Sequence, residues 1–136
     1  MIKNAGCIML VDDNPDDNFF HEREIRKVNP ETIVIIKNSG IDALEYLKSK
    51  KAGENIRPVL IFLDINMPRM DGWEFLDEYK QLDKKLQSKV TIIMLTTSDN
   101  PVDIARTKAF PFITDYIIKP LTKVKMEDII KKYFLK

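Results

Sequence analysis

Residues 60–72 read LIFLDINMPRMDG. The apolar run stops at Asp64, and a Met67–Pro68 turn with a second acid, Asp71, and Gly72 follows at once. A short, nearly continuous apolar run suits a strand covered on both faces, as in a parallel sheet. An acid at the end of such a strand is either a satisfied turn residue or a working group. The choice depends on what the rest of the chain brings to Asp64.

The same pattern recurs on both sides of it. CIMLV (7–11) ends at Asp12 and Asp13. Asn14 can cap a helix that opens with Pro15 and two acids, which suit the positive helix end, and that Asn29–Pro30 stops near Val28. TIVIIK (32–37) is β-branched and strand-like. Ser39 can cap a helix over 40–50. The apolar run 59–63 is a third strand, and a helix over 72–82 places Phe75, Leu76, Tyr79 and Leu82 on one side. VTIIML (90–95) is a fourth strand. NPVDIARTKAF (100–110) opens a helix with a short, weak apolar stripe of Val102, Ala105 and Ala109. YII (116–118) is a fifth strand, ended by Lys119–Pro120. Thr122 can cap a last helix with Met126, Ile129, Ile130 and Tyr133 on its buried stripe. Strands that alternate with helices predict an open, doubly wound α/β sheet. Its strand C-termini share one edge, and the ligand crevice lies there.

Bulk properties narrow the function. The 136 residues fit a single domain. With 44% hydrophobic and 32% charged residues the chain can build a real core. Its 22 basic and 21 acidic residues leave a net charge of +1, so bulk electrostatics favour neither nucleic acid nor a membrane surface. Cys7, the only cysteine, sits in an apolar run and reads as a small buried hydrophobe. No disulfide within the chain is possible, which fits a reducing compartment. The N-terminal apolar run is too short for a signal peptide, and no segment is long enough to span a bilayer. A cytoplasmic location is expected.

At the common edge the first strand delivers Asp12 and Asp13, and the third delivers Asp64. The fourth delivers Thr96, Thr97 and Ser98, and the fifth delivers Lys119. The second delivers only Lys37 and Asn38, as expected of a strand away from the crevice. Clustered carboxylates repel one another unless one takes up a proton or a cation intervenes. Mg²⁺ suits the site, because it prefers oxygen ligands and uses one or two carboxylates with phosphate oxygens. A lysine opposite the acids balances charge, and a hydroxyl can bond a phosphoryl oxygen. Together these groups are the equipment for phosphoryl transfer onto Asp64.

Asp12–Asp13, LDINMPRMDG, LTTS and YIIKP, in this order, resemble the receiver domains of two-component response regulators over the whole chain. The resemblance implies a flavodoxin-like, five-stranded parallel (βα)5 sheet of order 2-1-3-4-5. It implies a signalling switch that a histidine kinase or histidine phosphotransfer protein phosphorylates, and not an enzyme in the ordinary sense, since it catalyses only its own phosphorylation and dephosphorylation. Asp64 is then the phosphoacceptor. Asp13 binds Mg²⁺ directly, Asp12 acts through water or as a secondary ligand, and Asn66 lends its backbone carbonyl. Thr97 is the switch hydroxyl, Tyr116 the aromatic that moves with it, and Lys119 the contact to phosphoryl oxygens, with a cis bond to Pro120. Asn66 and Asp99 border the path of hydrolytic water and resemble a chemotaxis-type pattern, which implies a short-lived phosphoryl group.

Plainer readings stand beside these. Asp12–Asp13 can be a helix-start acid pair, Thr97 an ordinary strand residue and Tyr116 a half-buried aromatic. Thr96 and Thr97 should face opposite sides of the strand, so only one can serve. His21, the only histidine, falls near Phe20, Ile25 and Val28 on the helical wheel and reads as a residue at the core margin. Trp73 and Phe19 fall off their apolar stripes and read as rim packing or a docking surface. The segment FPFITDY departs from the family, which commonly has a small Gly/Ala pair there.

The chain ends near the last helix, so a stand-alone receiver without an output domain is expected. It would signal through the face of the helix over 100–110, the fifth strand and the last helix. The routes are contact with a downstream protein, phosphate relay or phosphorylation-linked dimerisation. A haloacid-dehalogenase-like phosphatase also uses a strand-end Asp with Mg²⁺, but wants a second Asp where Asn66 stands. A flavodoxin-like FMN module wants a phosphate loop where DDNPDD stands. A degenerate receiver acting as a scaffold is the remaining alternative.

Overall fold

The computed structural model describes residues 6–49, 57–82, 84–87 and 90–134; Lys50, the end of the helix expected over 40–50, lies outside them. The elements run β1 (Cys7–Val11), α1 (Pro15–Val28), β2 (Ile33–Lys37), α2 (Gly40–Lys48), β3 (Leu60–Leu63), α3 (Gly72–Tyr79), α4 (Lys84–Gln87), β4 (Thr91–Thr96), α5 (Pro101–Arg106), a 3-10 turn (Thr107–Ala109), β5 (Ile113–Ile118) and α6 (Lys123–Tyr133). The strands form one parallel sheet of order β2-β1-β3-β4-β5, as expected.

Strand alternation splits the core into two layers. Met9 and Val11 of β1, Ile61 and Leu63 of β3, and Ile92 and Met94 of β4 pack with residues of α2 and α3. Ile8, Leu10, Leu60, Phe62, Ile93 and Leu95 alternate with them and pack with α1 and α6. The expected caps are present. The Asn14 side chain accepts from Asp16 and Asp17 N–H, Ser39 accepts from Asp42 N–H, and Thr122 accepts from Lys125 N–H. Asp71 and Glu74 close a reciprocal capping box that starts α3.

Several expectations need correction. The fifth strand, expected over 116–118, begins at Ile113. The helix over 72–82 ends at Tyr79. Gln81 N–H bonds Glu78 O at 3.1 Å and Leu82 N–H bonds Tyr79 O at 3.0 Å, so the last turn tightens instead of continuing. The fourth strand extends through Thr96, whose register partner is Ile118. The apolar stripe of the helix over 100–110 is not buried: α5 has no buried residue, and Val102 is 70% exposed. Trp73 is only 4% exposed. It stacks on Phe110 with centroids 6.0 Å apart, and the Arg106 guanidinium lies 4.7 Å from its ring centroid. The unusual FPF segment supplies that cover. Phe110 packs edge-on against Phe112, which in turn meets Tyr79. Phe19, by contrast, is 68% exposed.

One close approach holds the β3–α3 turn beneath the sheet edge. Gly72 N–H donates to Ile65 O at 2.7 Å. A Cβ on Gly72 would lie 2.6 Å from Asp64 O and 2.8 Å from Ile65 Cα, both backbone atoms that cannot swing aside. Gly72→Ala is therefore expected to destabilise the fold by about 1–3 kcal/mol, the range for overpacking. A fall in the urea midpoint would report it, and an unchanged midpoint would contradict the close approach.

Candidate functional site

The parallel ladder carries the site residues to one edge. Asp64 N–H bonds Val11 O at 3.0 Å, Asp12 N–H bonds Lys37 O at 3.1 Å, and Lys119 N–H bonds Thr96 O at 2.8 Å. Each side chain thus leaves from a backbone already fixed by a neighbouring strand. Asp12 and Asp64 are buried, while Asp13 is exposed. Carboxylate oxygens of Asp12, Asp13 and Asp64 lie within 4.8 Å of one another. An open cleft of about 540 Å³ brings together Asp12, Asp13, Asp64, Asn66, Thr97 and Lys119.

Lys119 bridges the acids. Its Nζ donates to Asp12 Oδ2 at 2.6 Å, to Asp17 Oδ2 at 2.8 Å and to Asp64 Oδ2 at 3.5 Å. Desolvation alone would pull its pKa down; the bonds to Asp12 and Asp17 and the charges of Asp64 and Asp12 outweigh it, and the net shift is upward. Asp64 shows the opposite balance. Burial and the charge of Asp12 push its pKa up, and Lys119 and a hydrogen bond from the Thr96 side chain oppose them only in part. Acids this close need a counter-charge beyond the single ammonium. The all-oxygen donor set of Asp12, Asp13 and Asp64 fits a hard divalent cation.

The hydroxyl contact falls on Thr96 and not on Thr97. Thr96 closes β4, is fully buried, and bonds the Asp64 carboxylate. Its Oγ1 also accepts from Ser98 N–H at 3.3 Å. Thr97, one residue beyond the strand, is exposed at the mouth of the cleft. Tyr116 is half-buried, and its hydroxyl donates to Ser98 O at 2.9 Å. Burial raises its pKa. The Lys119–Pro120 bond is cis. Asn66 is exposed and lines the cleft, and Asp99 is exposed on the loop after β4.

Two groups on α1 were not singled out from the sequence. Asp17 reaches Lys119, and Asn18 Nδ2 donates to Asp12 O at 2.8 Å. Their signal was helical spacing: Asn14, Asp17, Asn18, His21 and Glu24 recur three and four apart and form one polar stripe. His21 is buried more deeply than a margin residue, at 2% exposed. Its ring meets Phe20 edge-on, and desolvation lowers its pKa.

This fold and edge define a phosphoryl-accepting switch. The model of the response regulator receiver domain matches residues 8–131, and the chain belongs to that family. It is 35% identical to response regulator Rcp1 of Synechocystis over 98 residues, which are 71% of this chain and 65% of Rcp1, so the match leaves about a third of Rcp1 unspanned. A two-component response regulator from Cytophaga hutchinsonii superposes with a TM-score of 0.83 at 28% identity, covering 96% of this chain and 97% of that one. The Mn²⁺-bound form of Rcp1 superposes with a TM-score of 0.67 at 26% identity, covering 93% and 90%. Family membership sets the phosphatase alternative aside. Receiver domains bind Mg²⁺ through acidic residues, and response regulators are phosphorylated by histidine kinases. Among the described residues, no helix is long and apolar enough to cross a membrane.

The raised pKa of Asp64 has a consequence for stability. The folded state binds the proton more tightly than the unfolded chain, so the ionised carboxylate weakens the fold, and stability falls as pH rises from the unfolded to the folded pKa. Asp64→Asn is expected to raise the urea midpoint at neutral pH. The gain should shrink in mild acid, where the wild-type carboxyl is already protonated. A lower midpoint at neutral pH would reverse the assignment of the shift.

Proposed function

We propose that Asp64 accepts the phosphoryl group, that Asp12, Asp13 and the Asn66 carbonyl hold Mg²⁺ beside it, and that Thr96 and Tyr116 transmit the change. The observation that carries this reading is Lys119 Nζ bonded to Asp12 at 2.6 Å and within 3.5 Å of Asp64 Oδ2 in the cleft. The Asp64 oxygen attacks phosphorus, the bond from phosphorus to the donor atom (the imidazole nitrogen of a phosphohistidine, or the acetyl oxygen of acetyl phosphate) breaks, and the donor leaves with the electron pair. Lys119 stabilises the charge on the transferring oxygens. A bound Mg²⁺ would neutralise charge on the same oxygens and on the acids. Asn66 lies beside the route by which water would later attack the phosphorus, and with Asp99 favours a short-lived phosphoryl group.

Transmission has a continuous hydrogen-bonded route. Asp64 meets Thr96, Ser98 N–H meets Thr96 Oγ1, and Tyr116 O–H meets Ser98 O. A phosphoryl group that recruits the Thr96 hydroxyl pulls on the loop carrying Ser98 and so on Tyr116. A full two-state shift needs about 5.5 kcal/mol of differential binding. Charge-assisted hydrogen bonds contribute roughly 1.5–3 kcal/mol each. Two such bonds give about 3–6 kcal/mol and three about 4.5–9, so three bonds of middling strength, from Thr96, Lys119 and a backbone amide, reach that figure. The responsive element is α5, which buries no side chain. The output face is α5, β5 and α6, and the reader is a downstream protein, a relay partner or a second copy. A histidine kinase or histidine phosphotransfer protein in the cytoplasm is the phosphate source.

Intact-mass measurement after incubation with acetyl phosphate and Mg²⁺ tests the acceptor. The expected result is one added phosphoryl group in the wild type, lost on adding EDTA and absent in Asp64→Asn. A group that persists in Asp64→Asn would sink the assignment. A second comparison separates the threonines. Thr96→Val should abolish the phosphorylation-linked change in the Tyr116 ring signals by NMR, and Thr97→Val should keep it. The opposite pattern would return the switch role to Thr97.

A further inference from the structure

Lys119 has three N–H donors, and they meet three different carboxylates. The acceptor is the farthest of them, at 3.5 Å, against 2.6 Å for Asp12 and 2.8 Å for Asp17. Asp17 stands outside the cation-fitting trio of Asp12, Asp13 and Asp64. It lies in the first turn of α1, where its N–H bonds the Asn14 side chain at 3.1 Å. From there its carboxylate crosses to a lysine 102 residues away. The Lys119 side chain is 9% exposed and that of Asp17 36%, so the acid can turn toward water far more easily than the lysine can.

We propose that Asp17 is a positioning residue that holds Lys119 off Asp64 and so slows phosphoryl transfer. The inference rests on the reading of Asp64 as the acceptor. During transfer from acetyl phosphate, the phosphorus–oxygen bond to the acetyl group breaks, a bond from phosphorus to Asp64 Oδ forms, and acetate leaves with the electron pair. Charge then sits on the equatorial phosphoryl oxygens, where Lys119 is needed. Each Lys119 donor that Asp17 keeps is one the phosphoryl oxygens do not receive. Asp17 therefore competes with the transition state for the same ammonium. Helix-dipole stabilisation does not require this residue, because Asp16 in the same turn supplies the same charge. Asp16 is exposed and makes no ion pair among the described residues. It is therefore an internal control for bulk electrostatics.

The test is the rate of phosphoryl gain from acetyl phosphate and Mg²⁺, followed by intact mass, in wild type, Asp17→Asn, Asp16→Asn and Asp17→Glu. Asp17→Asn should react about fivefold faster, the upper end for breaking a partly exposed ion pair. Asp16→Asn should change the rate by less than about twofold, the scale of an unpaired surface charge. Asp17→Glu should restore a rate near the wild type. An Asp17→Asn protein no faster than wild type overturns the inference and leaves the acceptor reading standing. So does an Asp16→Asn protein as fast as Asp17→Asn, because repulsion of the anionic donor then explains both. A wild type that gains no phosphoryl group overturns the acceptor reading and this inference together.

Discussion

Like charges are packed at one edge of the sheet with no room to move apart. Asp12 and Asp64 follow β1 and β3, which are adjacent in the sheet. Hydrogen-bonded strands lie about 4.8 Å apart, so the backbone sets how far the two carboxylates can separate. Both are buried, where screening by water is weak. The Lys119 side chain is largely enclosed among them, and its bonds to Asp12 and Asp17 favour its charged form. Neither side of this arrangement is stable without the other, and removing one partner would leave an uncompensated buried charge. A hard divalent cation would relieve the same conflict, and its charge would also offset that of an anionic phosphoryl group.

The rest of the fold can be read as what keeps that conflict in place. Two apolar layers clamp the sheet from both sides, so the strand ends cannot shift to ease the repulsion. Gly72 lets the chain turn directly under Asp64, and Asn18 fixes the Asp12 carbonyl from α1. Such an edge costs stability and is tolerated because the remaining structure is conventional. Apolar runs, caps and helix stops all agree with the same topology.

The sequence showed Asp12, Asp64 and Lys119 clearly, because each ends an apolar run and the doubly wound topology gathers strand ends. The order of the sheet and the caps Asn14, Ser39 and Thr122 were legible for the same local reasons. The sequence reading favoured Thr97, whereas the threonine buried at the end of β4 is Thr96; a β-branched residue at a strand end fits either the ladder or the loop, and element boundaries blur by a residue or two. The contact with Asp64 that separates it from Thr97 is not local. Trp73 lay off its helical stripe only as judged from its own helix. Its partners Phe110 and Arg106 come from a distant segment that no wheel includes. Asp17 was readable as a helix-start acid but not as a partner of Lys119.

The FPF segment and α5 together confine where the molecule can respond. Phe110 and Phe112 tie the connection before β5 to Trp73 and Tyr79 of α3, which is itself anchored under Asp64 by Gly72. The far side of α5 is therefore held by aromatic packing, while its own residues bury nothing. Between these lies the loop from Thr97 to Asn100, fastened by Tyr116 to Ser98 O and by Ser98 Oγ to Asp103 at 2.6 Å. A pull transmitted through Thr96 meets little resistance from α5 and much from the aromatic cluster. Under the proposed switch the displacement would fall on the loop and α5, because the aromatic FPF segment holds the connection before β5 against α3.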